Sequence, residues 1–352
     1  MLEDPGQLAA LSARFERFGN VETLGASPLY TRFSLGLAAD PALLKLAGQA
    51  QPDQPVANIF LAAVHYLLLK GAQSPLRAFY PGLGGTTSLQ EADPYPFFRA
   101  FCLEHQAVIL ELIKTRLVQT NEVRRCALLL PAFERVAQQA NGQELALLEI
   151  GTSAGLNLLW PRYGYDYGEG RACGDLNSPL QLHCRLQGEL VPPLPIALPP
   201  VGFRVGLDLN PLDVRDTEDT NWLQALLWPE HLERAIRLEQ ALTIARQEPP
   251  LLLAGDALEL LPDVLARIPP EMTLCLFHSF TLNQFSVSAR TKLISLLEEV
   301  SQKRDLYKIS IEWEAGDEAP LLKLDQFKNG SRQSQKLAHC HPHGEWLEWL
   351  QP

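Results

Sequence analysis

The chain has 352 residues, 46% of them hydrophobic and 20% charged, with a formal net charge of -11 and a mean hydropathy of -0.05. That composition is ordinary for a soluble globular fold, and the length suits one large α/β domain with an appendage, or two domains. The acidic balance supplies no general attraction to nucleic acid or to an anionic membrane, so neither is expected as a partner.

The start, MLEDPGQLAA, lacks the basic-then-apolar pattern of a secretory leader. The longest apolar run, Ile59 to Leu69, contains His65 and is too short to span a bilayer. The six cysteines, at 102, 126, 173, 184, 275 and 340, form no C-x-x-C pair, which predicts free thiols in a reducing cytoplasm.

From Leu8 to about Asn141 the periodicity is helical, predicting a helical region or cap over residues 1–140. Leu8, Leu11, Phe15 and Phe18 recur at helical spacing. Asn58 to Lys70 reads as a buried helix and Phe97 to Leu117 as one long helix. Asn121 to Ala140 reads as a helix that Pro131 should kink or split. Between them lies a glycine- and proline-rich loop, Phe79 to Pro96. The polar string Gln119-Thr120-Asn121-Glu122-Val123-Arg124-Arg125 admits two readings. Thr120 or Asn121 caps a helix whose arginines are solvated, or Gln119, Asn121 and Arg125 line a substrate pocket above the core.

The α/β domain is expected over 141–352. An apolar strand, Leu145 to Ile150, runs into the small-residue turn Gly151-Thr152-Ser153-Ala154-Gly155, with Glu149 just before it. Further strands are expected at Gly202–Leu207, Leu251–Ala254, Thr273–Phe277 and Tyr307–Trp313. Helices between them are expected at Thr220–Arg246 (broken near Pro229), Ala257–Arg267 and Ser288–Lys303. Such alternation implies a parallel, doubly wound sheet. Leu321 to Trp349 reads as an antiparallel hairpin turning at Asn329-Gly330, for about seven strands in all. Residues 160–201 interrupt the rhythm. Tyr163, Tyr165 and Tyr167, then Leu180, Leu182, Cys184 and Leu186, alternate at period two and predict a β-hairpin insertion.

Ligands of open parallel sheets bind beyond the carboxyl ends of the strands. Here those ends carry Glu149 with the glycine turn, then Asp208, Asp256 and His278. A carboxylate at the second strand's end can accept both ribose hydroxyls, and one after the third can accept an adenine amino proton. The turn's N–H groups suit a carboxylate or a phosphate. His278, with Ser279 and Asn283 nearby, is the expected proton acceptor.

These residues resemble the class I S-adenosylmethionine-dependent methyltransferases over about residues 140 to 350. Glu149-Ile150-Gly151-Thr152-Ser153-Ala154-Gly155 is similar to their first motif, with serine replacing a glycine. More narrowly, QTNEVRR, EIGTSAGLNLLW and GLDLNPLDV resemble a bacterial family known only as a domain of unknown function. The resemblance implies a mostly parallel seven-stranded sheet of the methyltransferase type. It also implies S-adenosylmethionine held by Glu149, Gly151, Thr152, Ser153, Gly155, Asn157, Asp208, Asp256 and Ala257, with a small-molecule or protein methyl acceptor. Asp208 follows the turn by far more than the roughly twenty residues usual in such folds, a distance that the insertion explains. Tyr163, Tyr165 and Trp222 are expected mainly to pack the core rather than to wall the acceptor site.

Three rivals remain. G-x-S-x-G with Ser153 is also a nucleophile elbow, and the order Ser153, Asp256, later histidine is that of an α/β-hydrolase. His339-Cys340-His341-Pro342-His343 has ligand types at close spacing, although Pro342 disturbs a shared face and no metal is expected. Finally, a methyltransferase-like fold can serve as a binding module without catalysis.

Overall fold

Fourteen residues from Val56 to Leu69 carry almost no polar side chain, so their helix has to be wrapped on all sides. The structure, a computed structural model, describes residues 5–140 and 142–351; Met1–Asp4 at the acidic start, Asn141 and Pro352 lie outside the described residues. That helix, α4 (Val56–Leu69), shares one apolar cluster with five other helices of the first 120 residues and with Trp222, Ala225 and Leu226. The five are α1 (Pro5–Arg17), α2 (Pro28–Ala38), α3 (Pro41–Ala47), α5 (Tyr95–Glu104) and α6 (Gln106–Thr115). Ser27 and Asp40 cap α2 and α3 through their side-chain oxygens, each followed by a proline at the first helical position. Phe33 of α2 stacks on Phe98 of α5 with ring centroids 4.2 Å apart. The single helix expected over Phe97–Leu117 is two, broken at His105.

Two compact units divide the chain. One holds residues up to Thr120 with Arg215–Glu239, the other Asn121–Val214 with Gln240 onward. The helix α7 (Cys126–Gln139), which the sequence groups with the helical region, packs on the sheet of the second unit, and Pro131 sits inside it without splitting it. Conversely α8 (Thr217–Ala225) belongs to the helical unit. There Trp222 is fully buried, its Nε1 donating to Leu117 O at 2.8 Å, and Tyr66 Oη donates to Glu218 Oε2 at 2.5 Å. Trp222 is therefore a packing residue of that unit.

The second unit is built on a nine-stranded sheet, two strands more than the seven expected. Its parallel part comprises β1 (Leu145–Ile150), β6 (Val201–Asp208), β7 (Leu251–Ala254), β8 (Thr273–Ser279) and β9 (Leu306–Glu312). Their spatial order is β7-β6-β1-β8-β9, so the direction of winding reverses between β1 and β8. The antiparallel β10 (Leu321–Lys328) and β11 (Ser331–Cys340) follow, turning at Asn329-Gly330 as expected. The extra strands are β12 (Trp346–Trp349), antiparallel to β11, and β5 (Arg185–Gln187), which the insertion lends to the far edge. The insertion itself is a three-stranded sheet rather than a hairpin. In it β2 (Gly164–Asp166) lies between β3 (Ala172–Gly174) and β4 (Gln181–His183).

Alternation divides the strands between two covered faces. Ala146, Leu148, Val205, Leu207, Leu274 and Leu276 join one cluster with α10 (Ala257–Arg267) and α11 (Val287–Ser301). On the opposite face Phe277 meets Phe133 of α7 edge-on at 5.3 Å, and Phe133 stacks on Trp160 at 4.8 Å. Between α8 and α10 the chain forms α9 (Leu232–Gln247), whose separation from α8 fits the break expected near Pro229. No helix among the described residues is long and apolar enough to cross a membrane.

Candidate functional site

Parallel pairing sets β1, β6 and β7 side by side with Ile150 opposite Leu207 and Asp208 opposite Ala254. The acids at their carboxyl ends are consequently neighbours, and each does a different job.

Glu149 points to the α7 face and is 2% exposed. Thr152 Oγ1 donates to its Oε2 at 2.7 Å, and Asn157 Nδ2 donates to its Oε1 at 3.2 Å. Thr152 fits there only because residue 206 is glycine; a Cβ on Gly206 would stand 2.5 Å from Thr152 Oγ1. Burial raises the Glu149 carboxyl to about 8, Asp208 adds to the rise, and the Thr152 and Asn157 hydrogen bonds and Arg125 oppose it. Asn157, 2% exposed, also accepts from Cys126 Sγ at 3.3 Å through its Oδ1.

Asp208 closes the turn. Its Oδ2 accepts the Ser153 N–H at 2.8 Å and its Oδ1 the Asn210 N–H at 2.9 Å, while Leu207 O accepts the Gly151 N–H at 2.8 Å. Asp256 is exposed and caps α10, accepting the Leu258 N–H at 2.8 Å; Ala257 after it is buried. The helix expected after the turn is a short 3-10 segment, Leu156–Arg162, preceded by Gly155 in a left-handed conformation.

Ser153 has φ of 53°, the left-handed region that glycine occupies freely, and is 4% exposed. Ser153→Gly is therefore expected to fold with a stability within about 1 kcal/mol of wild type. Ser153→Val should cost about 2 kcal/mol, because a β-branched residue is strained there. Urea unfolding of both variants checks this.

The QTNEVRR string takes parts of both readings. Glu122, rather than Thr120 or Asn121, caps the 3-10 turn Val123–Arg125 by accepting the Arg124 N–H at 3.2 Å. Asn121 Oδ1 accepts the Leu156 N–H at 3.1 Å, tying the string to the end of the glycine turn. Arg125 Nε donates to Pro342 O at 2.9 Å, its Nη1 to Ser279 Oγ at 3.3 Å, and its guanidinium lies 4.4 Å from the Phe280 ring centroid. Gln119 falls in the helical unit. Asn283 is exposed, and its carbonyl accepts from Arg290 Nη2 at 3.3 Å.

His278 is placed otherwise than expected. β8 runs on to Ser279, so His278 is inside the strand and its side chain falls on the face of Leu274 and Leu276. The imidazole is 0% exposed, with Nδ1 at 2.9 Å from Glu312 Oε1 and no hydrogen-bond partner for Nε2. Burial lowers its pKa, against the upward pull of Glu312.

The insertion's tyrosines are structural. Tyr163, Tyr165 and Tyr167 are buried and donate to Leu156 O, Trp160 O and Ala127 O at 2.6, 2.6 and 2.7 Å. The six cysteines are free and buried. In the histidine string the His341 and His343 rings are 5.8 Å apart, and among the described residues no cluster of three or more His, Cys, Asp or Glu could hold a metal.

Two residues at this edge escaped the sequence reading: Thr281, packed on the turn, and Glu312, the last residue of β9. The alternation Lys308, Ser310, Glu312 along an otherwise apolar strand was a visible sign of polar business on one face. A family model described as uncharacterized protein conserved in bacteria (DUF2332) matches residues 12–349. No curated protein matches the chain.

Proposed function

From the premise that the chain belongs to this uncharacterized bacterial family, DUF2332, we propose that it binds S-adenosylmethionine and transfers the methyl group to a small-molecule or protein acceptor. The observation that carries this is the row of three acids, Glu149, Asp208 and Asp256, at the carboxyl ends of adjacent strands where the winding reverses. The resemblance of the glycine turn and its following acids to class I methyltransferases supports the same assignment.

The residues suit the cofactor chemically. Asp208 stands at the end of β6 beside the glycine turn, and a carboxylate in that place has the acceptor chemistry that the two hydroxyls of a ribose require. Asp256 is exposed at the next strand end and can take the adenine amino group. Ser153 keeps a glycine-type backbone beside the methionine end. The bound sulfonium supplies an electrophilic methyl group. This chain's own contribution is then alignment and exclusion of water. With His278 sealed away, the acceptor must bring an available lone pair.

Titration calorimetry with S-adenosylmethionine tests the proposal. Wild type should bind, and Asp208→Asn, which keeps the side chain's shape, should bind at least roughly tenfold more weakly, or about 1.4 kcal/mol. Absence of heat with wild-type protein would sink the proposal. The sealed His278 favours a second reading, a methyltransferase-like binding module; binding without transfer to any acceptor would select it.

A further inference from the structure

We infer that Glu312 is a positioning residue for the glycine turn: it holds the loop after β8 so that Thr281 forms one wall of the ligand site. This deepens the proposed function and rests on it as far as a ligand is concerned.

One oxygen gathers the loop. Glu312 Oε1 lies 2.9 Å from each of three donors, His278 Nδ1, the Thr281 N–H and the Leu282 N–H. The loop is pinned from its other side by Arg125, which donates to Ser279 Oγ and covers the Phe280 ring. Phe280 has φ of 53°, a strained conformation for a non-glycine residue, so the loop needs its fastenings to keep this shape. Held in this way, Thr281 presses on the turn. A Cβ built on Gly151 would stand 2.5 Å from Thr281 Cγ2, and Gly151 itself has φ of 73°. With the loop in this position, residue 151 has room for glycine alone. His278, expected to move protons, acts here as one of the three donors of the fastening.

Hydrogen exchange on the full chain tests this without a ligand. In Glu312→Ala, amides of residues 279–285 and also of 150–156 should exchange at least roughly tenfold faster, as loss of a buried acceptor implies, while 251–254 stay unchanged. Glu312→Gln keeps an acceptor oxygen and should restore most of the protection. Faster exchange confined to 279–285, or none at all, overturns the inference, because the turn would then not depend on the loop. Should Glu312→Ala fail to fold, Thr281→Ala serves in its place; it removes the atoms resting on Gly151 and should speed 150–156. S-adenosylmethionine affinity adds a second reading: a loss of about tenfold in Glu312→Ala, largely recovered in Glu312→Gln. Wild-type protein that binds no S-adenosylmethionine defeats the cofactor proposal alone, and the exchange comparison still decides the role of Glu312.

Discussion

Glu149→Gln should stabilise the fold by about 4 kcal/mol at pH 8 and by almost nothing at pH 4. Below the ordinary carboxyl value both folded and unfolded chains carry the proton, and the group contributes no pH dependence. Between 4.5 and about 8 the unfolded chain releases it, while the buried Glu149 keeps it. The folded state then binds more protons than the unfolded one, so stability falls as pH rises. Each unit of displacement is worth about 1.36 kcal/mol, and the loss levels off above about pH 8. Glutamine mimics the protonated side chain and can still meet Thr152 and Asn157, the two partners of Glu149. Urea unfolding of both proteins from pH 4 to 9 isolates the effect, since every other titrating group is common to the pair. A stability difference that does not change with pH would show that Glu149 is ionised in the fold.

The residues that decide such effects differ in how visible they were. The strand Leu251–Ala254 and the helix Ala257–Arg267 have the bounds expected of them, because Gly255-Asp256 separates an apolar run from an amphipathic one. Local chemistry was enough there. It was also present at Ser27-Pro28 and Asp40-Pro41, which cap α2 and α3, and went unread. The strands β5 and β12 are three and four residues long; period-two alternation reaches Leu186 of β5, but the pairing of β5 with β12, and of β12 with β11, is a tertiary relation that periodicity does not carry. His278 shows how little separates two roles. Two more residues of strand after Phe277 turn an end residue into a buried one. Glu312 meets His278 and the loop amides across about thirty residues of chain, a relation that only the folded sheet creates. The site's acids were legible by position, since strand ends can be read from sequence. Their partners were not, since hydrogen bonding is tertiary.

Trp160→Ala should lower stability by about 3–5 kcal/mol, the usual cost of removing a buried aromatic side chain. Trp160 is 0% exposed and lies almost flat on Phe133, with an interplanar angle of 10°. Its Nε1 has no hydrogen-bond partner, so the loss is one of packing rather than of a polar contact. Trp160→Phe should cost less, about 1–2 kcal/mol, since a ring remains to stack on Phe133. Denaturant unfolding distinguishes the two. The cavity should also reach the candidate site. Phe133 meets Phe277, and Phe277 is the cross-strand partner of Glu149 on the same face. Water entering beside that stack would ease the burial that raises the Glu149 carboxyl. In a Trp160→Ala background, the stabilisation at pH 8 from Glu149→Gln should therefore shrink by at least about 1 kcal/mol. Full additivity of the two substitutions would mean that the aromatic stack and the buried acid are energetically separate, and that the dryness of the Glu149 site is set by Thr152 and Asn157 alone.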